Sequence, residues 1–290
     1  NVPIDQFVVR HNNFADKLRA FDPTMKLIAS GEAVTAYHDW DVQLLKGASG
    51  NIDLLSKHFY RQDNSSPGGL RSHVYQIPKA IRDIAEAQRR YLAEIPELNG
   101  KHITVSLDEW NYWYGPHVFG ELGTRYFLRD GLGIAAGIQE YADHGDVIEM
   151  ANYAQTVNVI GAIKTNKTNA QLETTGLMLA MYRRHFGTIP VEMTGAPEPL
   201  FVKATLTADG SALTIGVVNP TYDEYSVDLK VEGGKIASQG TKWFVAGEDE
   251  MAYNDPGSEP VFEIQQATVA DNGRLTVAPL SASIFVFPIE

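Results

Sequence analysis

Cysteine is absent from all 290 residues, which excludes disulfides and thiolate metal sites and leaves the compartment, cytoplasmic or secreted, open. No apolar run approaches the ~20 residues that a membrane-spanning helix needs. Basic residues are scarce relative to acidic ones: 24 Lys and Arg stand against 36 Asp and Glu, and the formal charge of −12 offers no footprint for a nucleic acid. The eight histidines show no HExxH or comparable ligand spacing, so no metal is expected, and His11 and His185 read as helix-surface or core residues. A G-x-S-x-G nucleophile elbow is missing too. The string Gly131-Leu-Gly133-Ile-Ala-Ala136 matches the dinucleotide fingerprint in its letters, but it lies inside a helical stretch rather than at a strand-to-helix turn. Small-residue helix packing explains it, and no cofactor is expected.

What remains is a globular chain, 44% hydrophobic, long enough for one large domain or two of ordinary size. Phe7, Phe14, Leu18 and Phe21 fall on one helical face, and Pro23 stops that helix before a strand over Lys26 to Ser30. A second strand reads through IDLLSKHFY (52–60), followed by the loop QDNSSPGG. Then come a long helix carrying Ile77, Ile81, Ile84, Tyr91 and Ile95, ended by Pro96, and a buried strand, HITVSLDE. A helical stretch over about 119–142, a strand VIEMANYAQ and a helix near 172–186 complete the series. Strands alternating with helices predict a parallel sheet with right-handed crossovers, as in an α/β barrel or an open α/β sheet.

Beyond residue 194 the texture changes to short strands and turn signals: Asp209-Gly210, the one-faced Tyr225/Val227/Leu229/Val231, Gly233-Gly234, Asn272-Gly273 and a final SASIFVFPI. The expected division is an α/β part over 1–194 and a β-sandwich over 195–290. Asn64-Ser65-Ser66 and Asn166-Lys167-Thr168 fit the glycosylation pattern, which carries little without a secretion signal. The opening NVPIDQF has neither an initiator Met nor a signal-like stretch, and the expectation is of a chain that starts within a longer one.

In a parallel α/β protein the chemistry gathers at the carboxyl ends of the strands. The four ends here carry Ser30-Gly31-Glu32, then His58 and Tyr60, then Asp108-Glu109-Trp110, then Asn152, Tyr153 and Gln155. Packing requires none of these groups, so together they point to a lined pocket. Glu109, flanked by Trp110 and Trp113, combines a carboxylate fit for attack or proton transfer with flat faces suited to a sugar ring, whereas Asp108 reads as structural.

SLDEWNYWYG (106–115), FGELGTRYFLRDGLGIAAG, MANYAQTVNVIGAIKT, AYNDPGSEP and PLSASIFVF together resemble the later part of glycoside hydrolase family 51, the α-L-arabinofuranosidases, over essentially the whole chain. The resemblance implies the second half of a (β/α)8 barrel followed by a β-sandwich. It also implies retaining hydrolysis of terminal arabinofuranosyl groups in arabinan- or arabinoxylan-type carbohydrates. By that resemblance Glu109 is the nucleophile; His58 and Tyr60 lie beside it; Trp110, Asn111 and Gln155 bind sugar. The family's acid/base is the Glu of a Gly-Asn-Glu motif, and no Gly-Asn-Glu occurs here, so that residue is expected from an N-terminal half of the barrel, as a separate chain or fragment. Four βα units would otherwise leave open strand edges, and an oligomer is expected. Glu32 is a poor substitute, because adjacent-strand geometry does not put it across the sugar from Glu109. An endo-glucanase or xylanase of the same family, and a non-catalytic carbohydrate-binding protein, stay open as alternatives.

Overall fold

A computed structural model describes residues 2–33, 36–64, 69–270 and 273–290. Ser65 and Ser66 of the first glycosylation triplet, with half of the QDNSSPGG loop, and Asn272 of the Asn272-Gly273 turn lie outside the described residues. The chain divides into two compact units, the first holding the residues up to Tyr60 with Lys79–Asn111 and His144–Ala154, the second holding Arg61–Pro78, Tyr112–Asp143 and Gln155–Glu290.

The first unit is built on a four-stranded parallel sheet in the order β1 (Ile28–Ser30), β2 (Leu54–Arg61), β3 (Thr104–Tyr112), β4 (Ile148–Tyr153). Helices α1 (Ile4–Phe21) and α2 (Asp39–Ala48) and most of α3 (Gly69–Glu94) belong to it, and α3 passes between the units at Pro78. Strand order equal to chain order, with a helix before each of the first three strands, is the successive crossover pattern of half a (β/α)8 barrel. The core of this unit gathers Ala29, Leu44, Leu45, Ile52, Leu55, Tyr91, Ile95 and Leu98. Helix α2 has no counterpart among the expected elements. It is capped by His38, whose Nδ1 accepts the Trp40 amide at 3.0 Å, and it carries Asp39 and Asp41 in its first turn, where the helix dipole favours them.

Helix α1 departs from its expected packing. Of the stripe Phe7, Phe14, Leu18 and Phe21, only Phe7 joins the core, against Trp40 at 5.2 Å. Phe14, Leu18 and Phe21 are 71%, 42% and 84% exposed. The covered face is centred on Ala15, roughly a quarter turn away at 100° per residue. There His11, Asn12 and Arg19 bond the carbonyls of Asn51, Gly47 and Gly50.

The second unit carries α4 (Leu128–Tyr141), α5 (Thr174–His185), a hairpin of β5 (Ile163–Thr165) and β6 (Ala170–Leu172), and the antiparallel strands. The expected helix over about 119–142 begins only at Leu128. Gly120 and Leu122 both have left-handed φ (86° and 63°), and residues 117 to 124 close as a turn bridged between His117 and Thr124.

A six-stranded antiparallel sheet runs in the order β12 (Gln265–Ala270), β11 (Gln239–Ala246), β14 (Ser281–Pro288), β9 (Ala212–Asn219), β8 (Phe201–Leu206), β7 (Ile189–Pro190). It faces the pair β10 (Tyr225–Asp228) and β13 (Arg274–Val277) across a core of Val217, Leu275, Val277, Phe285 and Phe287, which is a β-sandwich. Tyr225, Val227, Leu229 and Val231 pack against that core as one face.

The glycines of α4 serve close packing. A Cβ on Gly133 would lie 2.0 Å from the Tyr112 hydroxyl, and one on Gly131 would lie 3.1 Å from the Thr174 carbonyl. Gly133→Ala is therefore expected to destabilise the second unit by about 1 to 3 kcal/mol through overpacking, read as a lowered unfolding midpoint in denaturant.

Candidate active site

Strand β3 supplies two adjacent carboxylates to one cavity, although neighbours on a regular strand face opposite ways. Its pairing with β4 steps from Leu107 against Ala151 to Trp110 against Tyr153, so β3 carries one extra residue there. This bulge lets Asp108 and Glu109 both open onto a cavity of about 330 Å³, whose remaining lining is Ser30, Gly31, Ala33, Ser56 and His58. The cavity lies at the carboxyl ends of β1, β2 and β3, where strand-end side chains converge.

The Tyr60 hydroxyl donates to Glu109 Oε2 at 2.5 Å. Burial, the bond to Glu109 and the carboxylate charge hold the Tyr60 phenol far above its ordinary pKa, so it keeps its proton and remains a donor. His58 lies between the two acids, with Nε2 3.8 Å from Asp108 Oδ2 and Nδ1 3.9 Å from Glu109 Oε2. Ser56 Oγ stands 3.5 Å from His58 Nε2, and Ser106 Oγ donates to Asp108 Oδ1. The arrangement offers one carboxylate fixed through a single oxygen, with an imidazole bordering both acids. Among the described residues no group of three or more His, Asp or Glu side chains is disposed to hold a metal ion.

Glu109, His58 and Tyr60 are thus brought together, and Asp108, read from sequence as structural, lines the same cavity. Trp110 and Asn111 do not line it. Trp110 is 2% exposed, with its ring 6.3 Å from Phe59 and edge-on to Tyr153 at 5.7 Å, and Asn111 is fully buried. Sequence reasoning missed Ser56 and Ala33 as lining groups; one signal was available, since Ser56, His58 and Tyr60 alternate along β2. Gln155 belongs to the second unit, at the start of a loop with left-handed φ at Gln155 (58°), Asn158 (56°) and Val159 (45°). Its Oε1 accepts the Ile160 amide at 3.4 Å.

A half-barrel of parallel strands with carboxylates at the strand ends, followed by an antiparallel sandwich, is the framework of a class of glycoside hydrolases. More narrowly, the chain belongs to the α-L-arabinofuranosidase C-terminal domain family, whose model matches residues 108–281. A probable α-L-arabinofuranosidase C of Aspergillus flavus is 26% identical over 289 residues, covering 87% of this chain and 55% of that one. An intracellular exo-α-(1→5)-L-arabinofuranosidase of Bacillus subtilis is 28% identical over 174 residues, 53% of this chain and 33% of the other. Among solved structures, an α-L-arabinofuranosidase from Thermotoga maritima in an arabinose complex superposes with a TM-score of 0.84 at 23% identity, covering 98% of this chain and 62% of that one. A family 44 xyloglucanase from Paenibacillus polymyxa superposes with a TM-score of 0.70 at 14% identity, covering 99% and 61%. The chain therefore spans little more than half the length of the Aspergillus and Thermotoga proteins.

Beneath the Gln155 loop the second unit buries an acid and a base. Lys164 Nζ donates to the carbonyls of Val159 and Gly161, each at 3.0 Å, which steadies the left-handed stretch, and Glu173 Oε2 accepts the Tyr126 amide at 2.9 Å. Burial pushes the Glu173 carboxyl up to about 7 and pulls the Lys164 ammonium down to about 8, with each group's charge opposing the other's shift. A carboxyl whose folded pKa exceeds its ordinary 4.5 binds its proton more tightly in the folded state. Its contribution to stability is fully present below that ordinary value and is lost as pH rises toward 7. Glu173→Gln is expected to flatten the pH dependence of the denaturation midpoint over this window, and an unchanged slope would refute the assignment.

Proposed function

We propose that this chain is the nucleophile half of a retaining α-L-arabinofuranosidase. The observation that carries the reading is Glu109, held at the cavity by the 2.5 Å bond from Tyr60 and bordered by His58. With Oε2 engaged, Oε1 attacks the anomeric carbon of an arabinofuranosyl group and forms a glycosyl ester as the bond to the leaving oxygen breaks. A carboxylic acid on the other side of the sugar delivers its proton to that oxygen. The same group then takes a proton from water, whose oxygen attacks the anomeric carbon and releases Glu109, so two inversions give net retention. His58 and Tyr60 limit charge build-up on the carboxylate.

Asp108 sits next to Glu109 on one strand and borders the same wall, so it does not supply the acid on the opposite side. We assign that acid to further βα units that complete the barrel, from a separate chain or fragment. Three features support this assignment. β1 and β4 are edge strands of a parallel sheet, an arrangement that ordinarily exists only with both faces and edges covered. Residues Glu149 to Asn152 of β4 are exposed. Phe14, Leu18 and Phe21 of α1 form an uncovered apolar stripe beside the covered one. Because α1 leads into β1 as α2 leads into β2, a right-handed crossover puts the preceding strand on the free edge of β1 and its helix against that stripe.

The xyloglucanase likeness keeps a second substrate in view, and hydrolysis of an aryl α-L-arabinofuranoside against that of a linear β-glucan separates the two. In the barrel-completed assembly, Glu109→Ala is expected to lower turnover of the arabinofuranoside by about 10³-fold or more with the unfolding midpoint preserved. Retained turnover would overturn the nucleophile assignment. Phe14→Asp with Leu18→Asp is expected to leave the circular dichroism of the chain unchanged and to abolish its co-sedimentation with the completing segment. Co-sedimentation at wild-type strength would move the docking surface elsewhere.

A further inference from the structure

Lys57 lies on β2 between Ser56 and His58, both of which line the cavity, so strand alternation sends it to the opposite, helix-covered face. There it is 2% exposed and pairs with Asp41 of α2, 0% exposed, with Nζ 2.6 Å from Oδ2. The pair is more than a cross-link between strand and helix. Lys57 Nζ donates to the Glu32 carbonyl at 2.8 Å, and Asp41 Oδ1 accepts the Glu32 amide at 2.7 Å, so one ion pair grips both backbone polar groups of a single loop residue. The Tyr91 hydroxyl extends the grip, donating to Asp41 Oδ2 at 2.9 Å while accepting the His38 amide at 2.7 Å.

Gly31 lies between strand β2 and the same Asp41 carboxylate. Its amide donates to the Ser56 carbonyl at 3.1 Å, and a Cβ there would lie 2.6 Å from that oxygen and 2.9 Å from Asp41 Oδ1. Ser30, Gly31 and Ala33 form the cavity wall on the β1 side. A buried ion pair is a poor source of net stability, because well-packed apolar residues in its place are often neutral or stabilising. What this pair does supply is a fixed position for Glu32, through hydrogen bonds that apolar groups cannot make.

We infer that Lys57 and Asp41, with Tyr91, are positioning residues that set the Gly31–Ala33 wall of the cavity and thereby which sugar ring fits beside Glu109. The inference rests on reading that cavity as the glycosyl site. The test uses the double variant Lys57→Met with Asp41→Leu, which removes both charges together at similar volume, alongside Tyr91→Phe. Three quantities are measured on the barrel-completed assembly: amide exchange of the Glu32 and His38 amides, affinity for L-arabinose by calorimetry, and kcat and KM with an aryl α-L-arabinofuranoside. The double variant is expected to keep a wild-type unfolding midpoint and to exchange the Glu32 amide at least tenfold faster. KM is expected to rise five- to tenfold while kcat falls less than twofold, and Tyr91→Phe is expected to speed exchange at His38. Unchanged exchange and unchanged KM in the folded double variant would overturn the inference. Faster exchange in a variant whose parent neither binds L-arabinose nor turns over the arabinofuranoside would uphold the clamp and refute the arabinofuranosidase reading instead.

Discussion

The hydrogen bond from Tyr60 to Glu109 is the interaction on which the site depends, because it joins neighbouring strands through side chains rather than backbone. It requires a phenol that keeps its proton, and burial of Tyr60 secures that. It also requires Glu109 to point to the same side of the sheet as Tyr60. The one-residue bulge in β3 meets that second demand while bringing Asp108 to the same cavity. Without the bulge, one of the two carboxylates would face the helix layer, where an ionised group is costly.

Each unit also organises its loops around one fully buried aspartate. In the first, Asp41 receives the Glu32 amide, the Lys57 ammonium and the Tyr91 hydroxyl. In the second, Asp130 receives the Tyr114 hydroxyl on both oxygens (2.7 and 2.8 Å) and the Phe127 amide at 2.8 Å, and it stands 2.8 Å from His73 Nε2. His73 stacks flat on Tyr112 at 4.5 Å, and the Tyr112 hydroxyl donates to the His73 carbonyl. A buried carboxylate with its lone pairs filled orders the segments that fill them, whereas a partly filled one would be a liability. Loops at strand ends acquire definite positions in this way without regular secondary structure.

The parallel sheet, the sandwich and the placement of Glu109 at a strand-end cavity were legible in the sequence because each leaves a local mark: alternation, turn residues, or an acid beside aromatic rings at a strand end. The failures have equally local causes. FGELGTRYF spaces Phe119, Leu122 and Tyr126 as a helix would, and its two glycines instead allow a tight turn. Helix α2 was missed because Asp39, Trp40 and Asp41 blur its apolar period, although Leu44, Leu45 and Ala48 are buried as a helix face. The bulge was invisible, since nothing in DEWN marks the extra residue, and so Trp110 read as sugar-facing when it packs between Phe59 and Tyr153. The pairing of Lys57 with Asp41 spans 16 residues and two elements, and no spacing rule connects them.

On the proposed function, the chemistry and the selectivity have separate sources. The framework superposes on an arabinofuranosidase and, less closely, on a xyloglucanase, so it does not by itself determine which sugar is cleaved. The carboxylate and its tyrosine come from neighbouring strands of the sheet, whose geometry such frameworks share. The cavity wall comes from the segment after β1, which is free to vary in conformation unless something holds it. Here that hold is an ion pair on the far side of the sheet, fixing Glu32 by both of its backbone groups. On the proposed reading of the cavity as the glycosyl site, a change of side chain at Asp41 or Lys57 reaches the wall without lining it, and selectivity shifts through residues that do not meet the sugar.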